Sequence, residues 1–198
     1  MKHKLFFFLL LGVFHCAAGR SVQSDAAARN TNSGRPENMI FVNTPASTFY
    51  MDPYEQSKLQ PGDFFSVPNR IPRASIARSE AALKCKNQGK RLCSLGEWQN
   101  ACLGIHRRQY SYANRAESGR CNTSGARAEM SGFKDGCKSD GDLYDMLGNL
   151  MEWVSDDSNG RAIAAGGSFA SGDATDCFTA YYFPDDTRSD QIGFRCCQ

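Results

Sequence analysis

Apolar residues along this chain occur in short runs separated by turn-forming residues. Two runs, MIFVN at 39–43 and STFYM at 47–51, are rich in Phe, Val, Tyr and Thr, and a proline follows each of them two residues later. These residue types favour β-strands, and proline ends them. The pattern therefore predicts two short strands at the start of a domain. Proline and glycine punctuate residues 60–72, which predicts a loop there.

Two helices are predicted after this loop. The first is alanine-rich and extends from an N-cap at Ser75 to Gly89, which lies just past its end. The second begins with a capping box, in which the side chain of Glu97 reaches back to the amide of Ser94, and it stops at Gly104. Farther along, short apolar stretches alternate with loops rich in Gly, Ser, Asn and Asp. The sequence thus predicts an α+β protein that is loop-rich, with two short helices and short antiparallel strands.

The N-terminus predicts export. Residues 1–18 combine a basic start, an apolar run at 5–14 and small residues at the end, as a signal peptide does. A membrane-spanning helix needs ~20 apolar residues, so no transmembrane segment is expected. Residues 19–38 are polar and without periodicity, which predicts a flexible tether before a single domain over 39–198. The product would be periplasmic or secreted, or alternatively a lipoprotein anchored through Cys16.

Composition and charge limit the classes of partner. Hydrophobic residues make up 41% and charged residues 22% of the 198 residues, which is typical of a globular domain. Removing residues 1–18 takes Lys2 and Lys4 from the 23 basic residues, and the remaining 21 equal the 21 acidic residues. A chain without net positive charge has no electrostatic footprint for nucleic acid or for an anionic membrane surface.

Cysteine content fits an exported chain. Of the nine cysteines, eight lie beyond the predicted signal peptide. An even number at this density is most simply four disulfides, although spacing alone leaves 105 pairings open. Zinc is the alternative, but the chain has no Cys-x-x-Cys pair, and an oxidising compartment favours disulfides. The eight are Cys85, Cys93, Cys102, Cys121, Cys137, Cys177, Cys196 and Cys197.

Four sequence segments, in a fixed order, resemble the formylglycine-generating enzyme or sulfatase-modifying factor family. The resemblance extends roughly from Phe49 to Cys197. It implies a C-type-lectin-like α+β fold with little regular secondary structure. The segments are GKRLCSLGEWQNAC at 89–102, LYDMLGNLMEWVSD at 143–156, GGSFAS at 166–171 and IGFRCC at 192–197.

The resemblance also implies disulfide pairs. Two of them match pairs of the family, and a third is local, because its cysteines bracket fifteen residues. Adjacent cysteines on a strand face opposite sides, so the last two cysteines need different partners. The implied pairs are Cys85 with Cys196 and Cys102 with Cys177, then Cys121 with Cys137, which leaves Cys93 for Cys197.

Gly148 and Asn149 predict a turn, because both residue types tolerate a positive φ. The resemblance implies a structural calcium ion in the segment around this turn. In the family this segment binds calcium through side-chain and backbone oxygens, which correspond here to Asp145, Gly148, Leu150 and Glu152. Hard oxygen ligands spaced closely around a turn suit calcium. The alternative is a carboxylate whose partners are backbone N–H groups or an arginine.

The oxidase chemistry of the family depends on two thiols, downstream of the GGS segment, that bind monovalent copper. Ser171 and Asp176 stand at those two positions in this chain. A hydroxyl and a carboxylate cannot replace soft thiolates toward copper(I), so no copper is expected. The favoured function is an exported, non-catalytic module, stabilised by disulfides and calcium, that binds a protein or a glycan. The alternative is an oxidoreductase that converts a substrate cysteine to formylglycine with a rearranged thiol site at Cys93 and Cys197.

Overall fold

The structure is a computed structural model, and it describes residues 36–45, 47–60 and 62–198. The predicted signal peptide at 1–18, its Cys16 and most of the predicted tether lie outside these residues. Within the described part of the chain, no helix is long and apolar enough to cross a membrane.

Two helices and twelve short strands form in the described residues. The helices are α1 (Arg78–Asn87) and α2 (Leu95–Leu103). The first six strands are β1 (Ile40–Asn43), β2 (Thr48–Met51), β3 (Gln56–Lys58), β4 (Phe64–Ser66), β5 (Arg91–Leu92) and β6 (Lys138–Ser139). The others are β7 (Leu143–Tyr144), β8 (Met151–Ser158), β9 (Arg161–Ala165), β10 (Ala180–Phe183), β11 (Ile192–Gly193) and β12 (Cys196–Cys197).

These strands form two four-stranded sheets and two small hairpins. One sheet has the order β1-β2-β12-β5, and the other has the order β10-β9-β8-β11. The predicted strands at 39–43 and 47–51 are confirmed as the antiparallel pair β1 and β2. The pairing of β11 with β8 is parallel, which departs from the expected antiparallel arrangement.

The second helix begins as its sequence predicts. The amide of Glu97 donates to Ser94 Oγ over 3.2 Å, and the amide of Ser94 donates to Glu97 Oε2 over 2.8 Å. Both halves of the capping box therefore form, and α2 ends at a C-cap at Gly104.

The predicted N-cap of the first helix is wrong. Helix α1 begins at Arg78, and its N-cap is Ala77, which makes no side-chain capping bond. Ser75 instead has a positive φ of 55°, and its amide donates to the carbonyl oxygen of Ser189 over 2.8 Å. A tertiary contact thus holds Ser75 outside the helix, and tertiary contacts commonly override a local preference.

The predicted loop at 60–72 contains a strand. Residues Phe64–Ser66 form β4, which pairs with β3. Phe64 is buried, with its ring 5.9 Å from that of Phe194, whereas Phe65 is exposed. This alternation is that of a strand with one buried face, and the prolines of the segment lie outside it.

Strand β8 lies between the two clusters of core residues. Its Trp153 belongs to one cluster, which includes Ala81 of α1, and its Val154 belongs to the other, which includes Trp98 of α2. Successive side chains of a strand point to opposite faces, so one strand serves both clusters. The segment 145–152, in which calcium is predicted, ends in the first two residues of β8.

Four disulfides join these elements. The two consecutive cysteines of β12 bond to different partners, as their opposite orientations require. Each bridge stabilises the fold by ~2–4 kcal/mol, largely by restricting the unfolded chain. The bonds are Cys85–Cys196, Cys93–Cys197, Cys102–Cys177 and Cys121–Cys137, the same four pairs that the sequence analysis gives.

Candidate functional site

The segment that carries Ser171 turns sharply after β9. Gly166 has a positive φ of 89°, and a Cβ atom there would lie 2.7 Å from the carbonyl oxygen of Met146. Only glycine fits at this approach. Farther along, the amide of Ser168 donates to Ser171 Oγ over 2.8 Å, and the amide of Ser171 donates to the carbonyl oxygen of Ser168 over 3.1 Å. The Ser171 hydroxyl is therefore part of a local turn.

The carboxylate of Asp176 is also engaged by its neighbours. Its Oδ1 accepts from the amide of Phe178 and from the hydroxyl of Thr179, each over 3.0 Å. Its Oδ2 accepts from Gln109 Nε2 over 3.0 Å. A short polar side chain that bonds to the backbone two residues later forms a turn. Asp176 thus organises the loop in which it lies.

The sulfur atoms near this loop are in disulfides. Cys177 follows Asp176 directly and is bonded to Cys102. Cys93 and Cys197, which the alternative function requires as a thiol pair, are bonded to each other and buried. A thiolate must be both free and accessible to attack or to bind a metal. None of these four cysteines meets both conditions in this structure.

A buried arginine lies at the centre of the acidic residues. Arg195 Nε donates to Glu152 Oε2, and Arg195 Nη2 donates to Glu152 Oε1, each over 2.7 Å. The remaining bonds of the guanidinium are to the carbonyl oxygens of Asp52, Pro53 and Tyr144. These contacts engage all five N–H groups of an arginine. The pair is bidentate and fully buried, with side-chain exposures of 0% and 1%.

This pairing determines the role of Glu152. Its Oε2 also accepts from Trp98 Nε1 over 2.8 Å. Both carboxylate oxygens are therefore engaged. Glu152 has an arginine as its partner, which was the alternative to calcium at this residue. Asp145 lies in the same buried region, and its Oδ2 accepts from the amide of Gly132 over 2.6 Å. Of the two predicted carboxylate ligands of calcium, Asp145 has the fewer partners.

Glu55 is a third buried carboxylate, and it accepts hydrogen bonds from the turn between Asp145 and β8. Its Oε1 accepts from the amide of Leu150 over 3.0 Å. Its Oε2 accepts from Asn149 Nδ2 over 2.7 Å and from Ser131 Oγ over 3.0 Å. Gly148 and Asn149 both have positive φ, as the sequence predicts for this turn. The turn is thus fixed by a side chain that comes from a distant part of the chain.

Three buried acids around one arginine leave excess negative charge. The pKa of Asp145 is raised to about 6, chiefly by burial and also by the negative charge of Glu152, although the Gly132 amide and Arg195 act to lower it. Burial likewise raises the pKa of Glu55 well above its usual range, with contributions from Asp145 and Glu152. Desolvation disfavours a charged carboxylate, and a second carboxylate nearby adds to the effect.

Sequence reasoning missed two members of this cluster. Glu55 follows an apolar strand, and an isolated acid in that position gives no sign of burial. Arg195 lies within the IGFRCC segment, where a charged residue between apolar ones was a usable signal. Lysine and arginine are almost never fully buried unless they are paired, so a partner carboxylate could have been sought.

A protein-family model matches most of the chain. The sulfatase-modifying factor enzyme 1-like domain matches residues 28–198. The chain belongs to this family. No curated protein matches it significantly in sequence. Membership accounts for the order of the four segments and for the loop-rich fold.

Solved structures share the C-type-lectin-like fold of this family member. The Major Tropism Determinant M1 variant superposes with a TM-score of 0.65 at 17% identity, over 84% of this chain and 53% of that chain. CarF superposes with a TM-score of 0.61 at 15% identity, over 79% and 88% of the two chains. PvdO from Pseudomonas aeruginosa has a TM-score of 0.61 at 14% identity, over 80% and 89%. The chain thus spans about half the length of Major Tropism Determinant.

The resemblance implies two metals, copper(I) and calcium, and the residues of this chain fit them differently. Ser171 and Asp176 supply oxygen, which does not fit copper(I). For calcium, no three side chains of His, Cys, Asp or Glu converge as a metal site within the described residues. A calcium ion here would therefore depend on Asp145 together with the backbone oxygens of Gly148 and Leu150, since Glu152 is engaged by Arg195.

Proposed function

We propose that this chain is an exported, non-catalytic binding module of its family, which recognises a protein or a glycan. One observation carries the proposal: the chain has Ser171 and Asp176 where the resemblance to the family would place the copper-binding thiols. Their oxygen atoms take part in turn-forming hydrogen bonds, which gives them a structural role in the loop. The family fold presents long loops on a rigid framework, an arrangement that suits recognition.

Export is supported by the cysteines. Four disulfides form in the described domain. Disulfides at this density persist in oxidising compartments and are rare in the cytosol. The apolar segment at 5–14 supports the same location as a signal peptide.

Thiol counting tests this proposal. The exported protein is alkylated without reduction, and its intact mass and peptide map are measured. We expect no alkyl group on any of the eight cysteines between residues 85 and 197, since all of them are in disulfides. Two alkylated cysteines would contradict the proposal, because they would supply the accessible thiol pair that copper(I) requires.

Calcium is the second part of the proposal. A cation beside Asp145 would offset the excess negative charge of the buried carboxylates, and backbone oxygens complete the ligands that calcium prefers. We expect isothermal titration of the chelator-treated protein to detect calcium binding, and Asp145→Asn to lose at least about tenfold in affinity. Asn tolerates the positive φ of 52° at this position, so the variant should keep the turn.

The matched control is Asp142→Asn, because Asp142 is exposed and also has a positive φ. It should leave calcium affinity unchanged. An absence of binding heat in the wild-type protein, together with an unchanged thermal midpoint on adding calcium, would contradict the calcium proposal.

A further inference from the structure

An open groove lies next to the loop that carries Ser171. Residues of the segments 71–74 and 125–133, together with Asp190, line a volume of about 780 Å³. We refer to it as the 71–133 groove. The amide of Gly125 donates to the carbonyl oxygen of Phe169 over 2.7 Å, which connects the groove to the GGSFAS segment.

Hydrogen bonds fix the walls of the 71–133 groove to each other and to the buried turn at Asn149. The amide of Ser131 donates to the carbonyl oxygen of Arg70, and the amide of Asn69 donates to the carbonyl oxygen of Ser131, each over 2.9 Å. The amide of Glu129 donates to Asn149 Oδ1 over 2.8 Å. A groove that is formed before binding avoids the entropic cost of ordering its walls.

Apolar side chains are unusually exposed along this groove. Ile71 is 59%, Met130 is 40% and Phe133 is 60% exposed. All three line the same depression. A single exposed apolar residue has no special meaning, but a cluster within a concave surface marks a binding site.

The charged residues of the groove are mainly acidic. Arg127, Glu129 and Asp190 line the groove, and their formal charges sum to −1. Glu129 Oε2 is buried and has no hydrogen-bond partner among the described residues. Neither Arg127 nor Asp190 forms an ion pair within that part of the chain. Asp190 is exposed, and the Glu129 carboxylate carries the same charge beside it along the groove, so a ligand that supplies a cationic N–H group would complement the two acids.

From these features we infer that the 71–133 groove binds a polypeptide segment of a partner protein, in which a lysine or arginine lies next to apolar residues. The inference rests on the proposed binding function. Apolar side chains of the segment contact Ile71, Met130 and Phe133. Its cationic group is received by Glu129 and Asp190. Arg127 donates to carbonyl oxygens of the bound backbone.

A polypeptide fits these features better than a glycan does. Neutral sugars bind through hydroxyl groups and by stacking on aromatic rings, and the groove offers one ring, that of Phe133. Ile71 and Met130 are suited to aliphatic or aromatic side chains instead. A neutral sugar also carries no charge to complement the acidic pair.

Peptide selection tests the inference. A random dodecapeptide phage library is selected on the immobilised full-length exported protein, and the affinities of enriched synthetic peptides are measured by fluorescence anisotropy. We expect enrichment of sequences with Lys or Arg beside apolar residues. Glu129→Gln combined with Asp190→Asn should weaken their binding at least about tenfold, because a charge-assisted bond is lost. Phe133→Ser should weaken binding as well.

Phe41→Ser is the matched control, since Phe41 is 51% exposed, against 60% for Phe133, and lies on β1, outside the groove lining. It should retain the affinity of the wild type within about twofold. Enrichment of acidic or purely polar peptides, no enrichment, binding that the groove variants leave unchanged, or a glycan that competes at the groove would each overturn the inference. These results leave the thiol count untouched, so failure here is separable from failure of the proposed function.

Discussion

Removal of both cysteine bridges of the C-terminal strand is expected to cost more than the sum of the two single removals. Cys85–Cys196 and Cys93–Cys197 span 111 and 104 residues of sequence. While one bridge is intact, however, the other closes only a short loop through residues 85–93 and 196–197. By the chain-entropy relation each single Cys→Ala pair should therefore cost about 3 kcal/mol.

With the first bridge gone, the second closes a loop that the intact Cys102–Cys177 bridge shortens to about 30 to 37 residues, which is worth nearly 4 kcal/mol. The quadruple alanine variant should thus lose about 6 to 7 kcal/mol, exceeding the sum of the singles by about 1 kcal/mol. Urea unfolding at constant pH measures these differences. The loss is comparable to the whole stability of a typical domain, so a largely unfolded quadruple variant is also consistent.

The local bridge provides the matched control. Cys121–Cys137 spans only 16 residues, and its removal should cost about 3 kcal/mol and add simply to either single removal. If the quadruple variant costs no more than the sum of the two single removals, the two long bridges do not share one loop in the unfolded chain.

Arg195→Met is the second prediction with a large effect. This change leaves the Glu152 carboxylate buried beside Asp145 and Glu55 without its cation. Breaking a buried pair by removing one partner typically costs about 3–5 kcal/mol. Urea unfolding at neutral pH should show a loss of that size. Arg195→Met combined with Glu152→Gln should recover part of it, because the uncompensated charge is removed.

Arg188→Met is the control for this experiment. Arg188 pairs with Glu80 through two bonds of 2.6 and 2.7 Å, but both side chains are about half exposed. Water and salt screen such a pair, so its removal should leave stability unchanged within error. An Arg195→Met variant as stable as Arg188→Met would show that the buried cluster is not held by this arginine.

Local sequence rules predicted those elements whose bonds are local. The capping box of α2 forms because Ser94 and Glu97 bond to each other's amides, and the other partner of Glu97, Arg91, is also close in sequence. The start of α1 could not be predicted in the same way. Ser75 is fixed by a bond to Ser189, more than a hundred residues later.

In the candidate site, too, the features encoded by neighbouring residues were predictable, and those that depend on distant residues were not. The turn at Gly148 and Asn149 is encoded by residues that tolerate positive φ, and the sequence alone predicted it. Its carboxylate partners come from far away in sequence. Glu55 reaches the turn across 95 residues to the Leu150 amide, and Arg195 reaches Glu152 across 43. No spacing rule connects residues at such distances, so only the folded structure brings them together.

The most direct test of the central claim is an oxidation assay on the purified protein. The protein is loaded with copper(I) under oxygen and incubated with a sulfatase-derived peptide that contains a cysteine, and aldehyde product is quantified by mass spectrometry. We predict no aldehyde above the protein-free control, because Ser171 and Asp176 cannot hold copper(I) as thiolates do. Sustained formation of aldehyde at more than one turnover per protein molecule would contradict the account of this chain as a non-catalytic module.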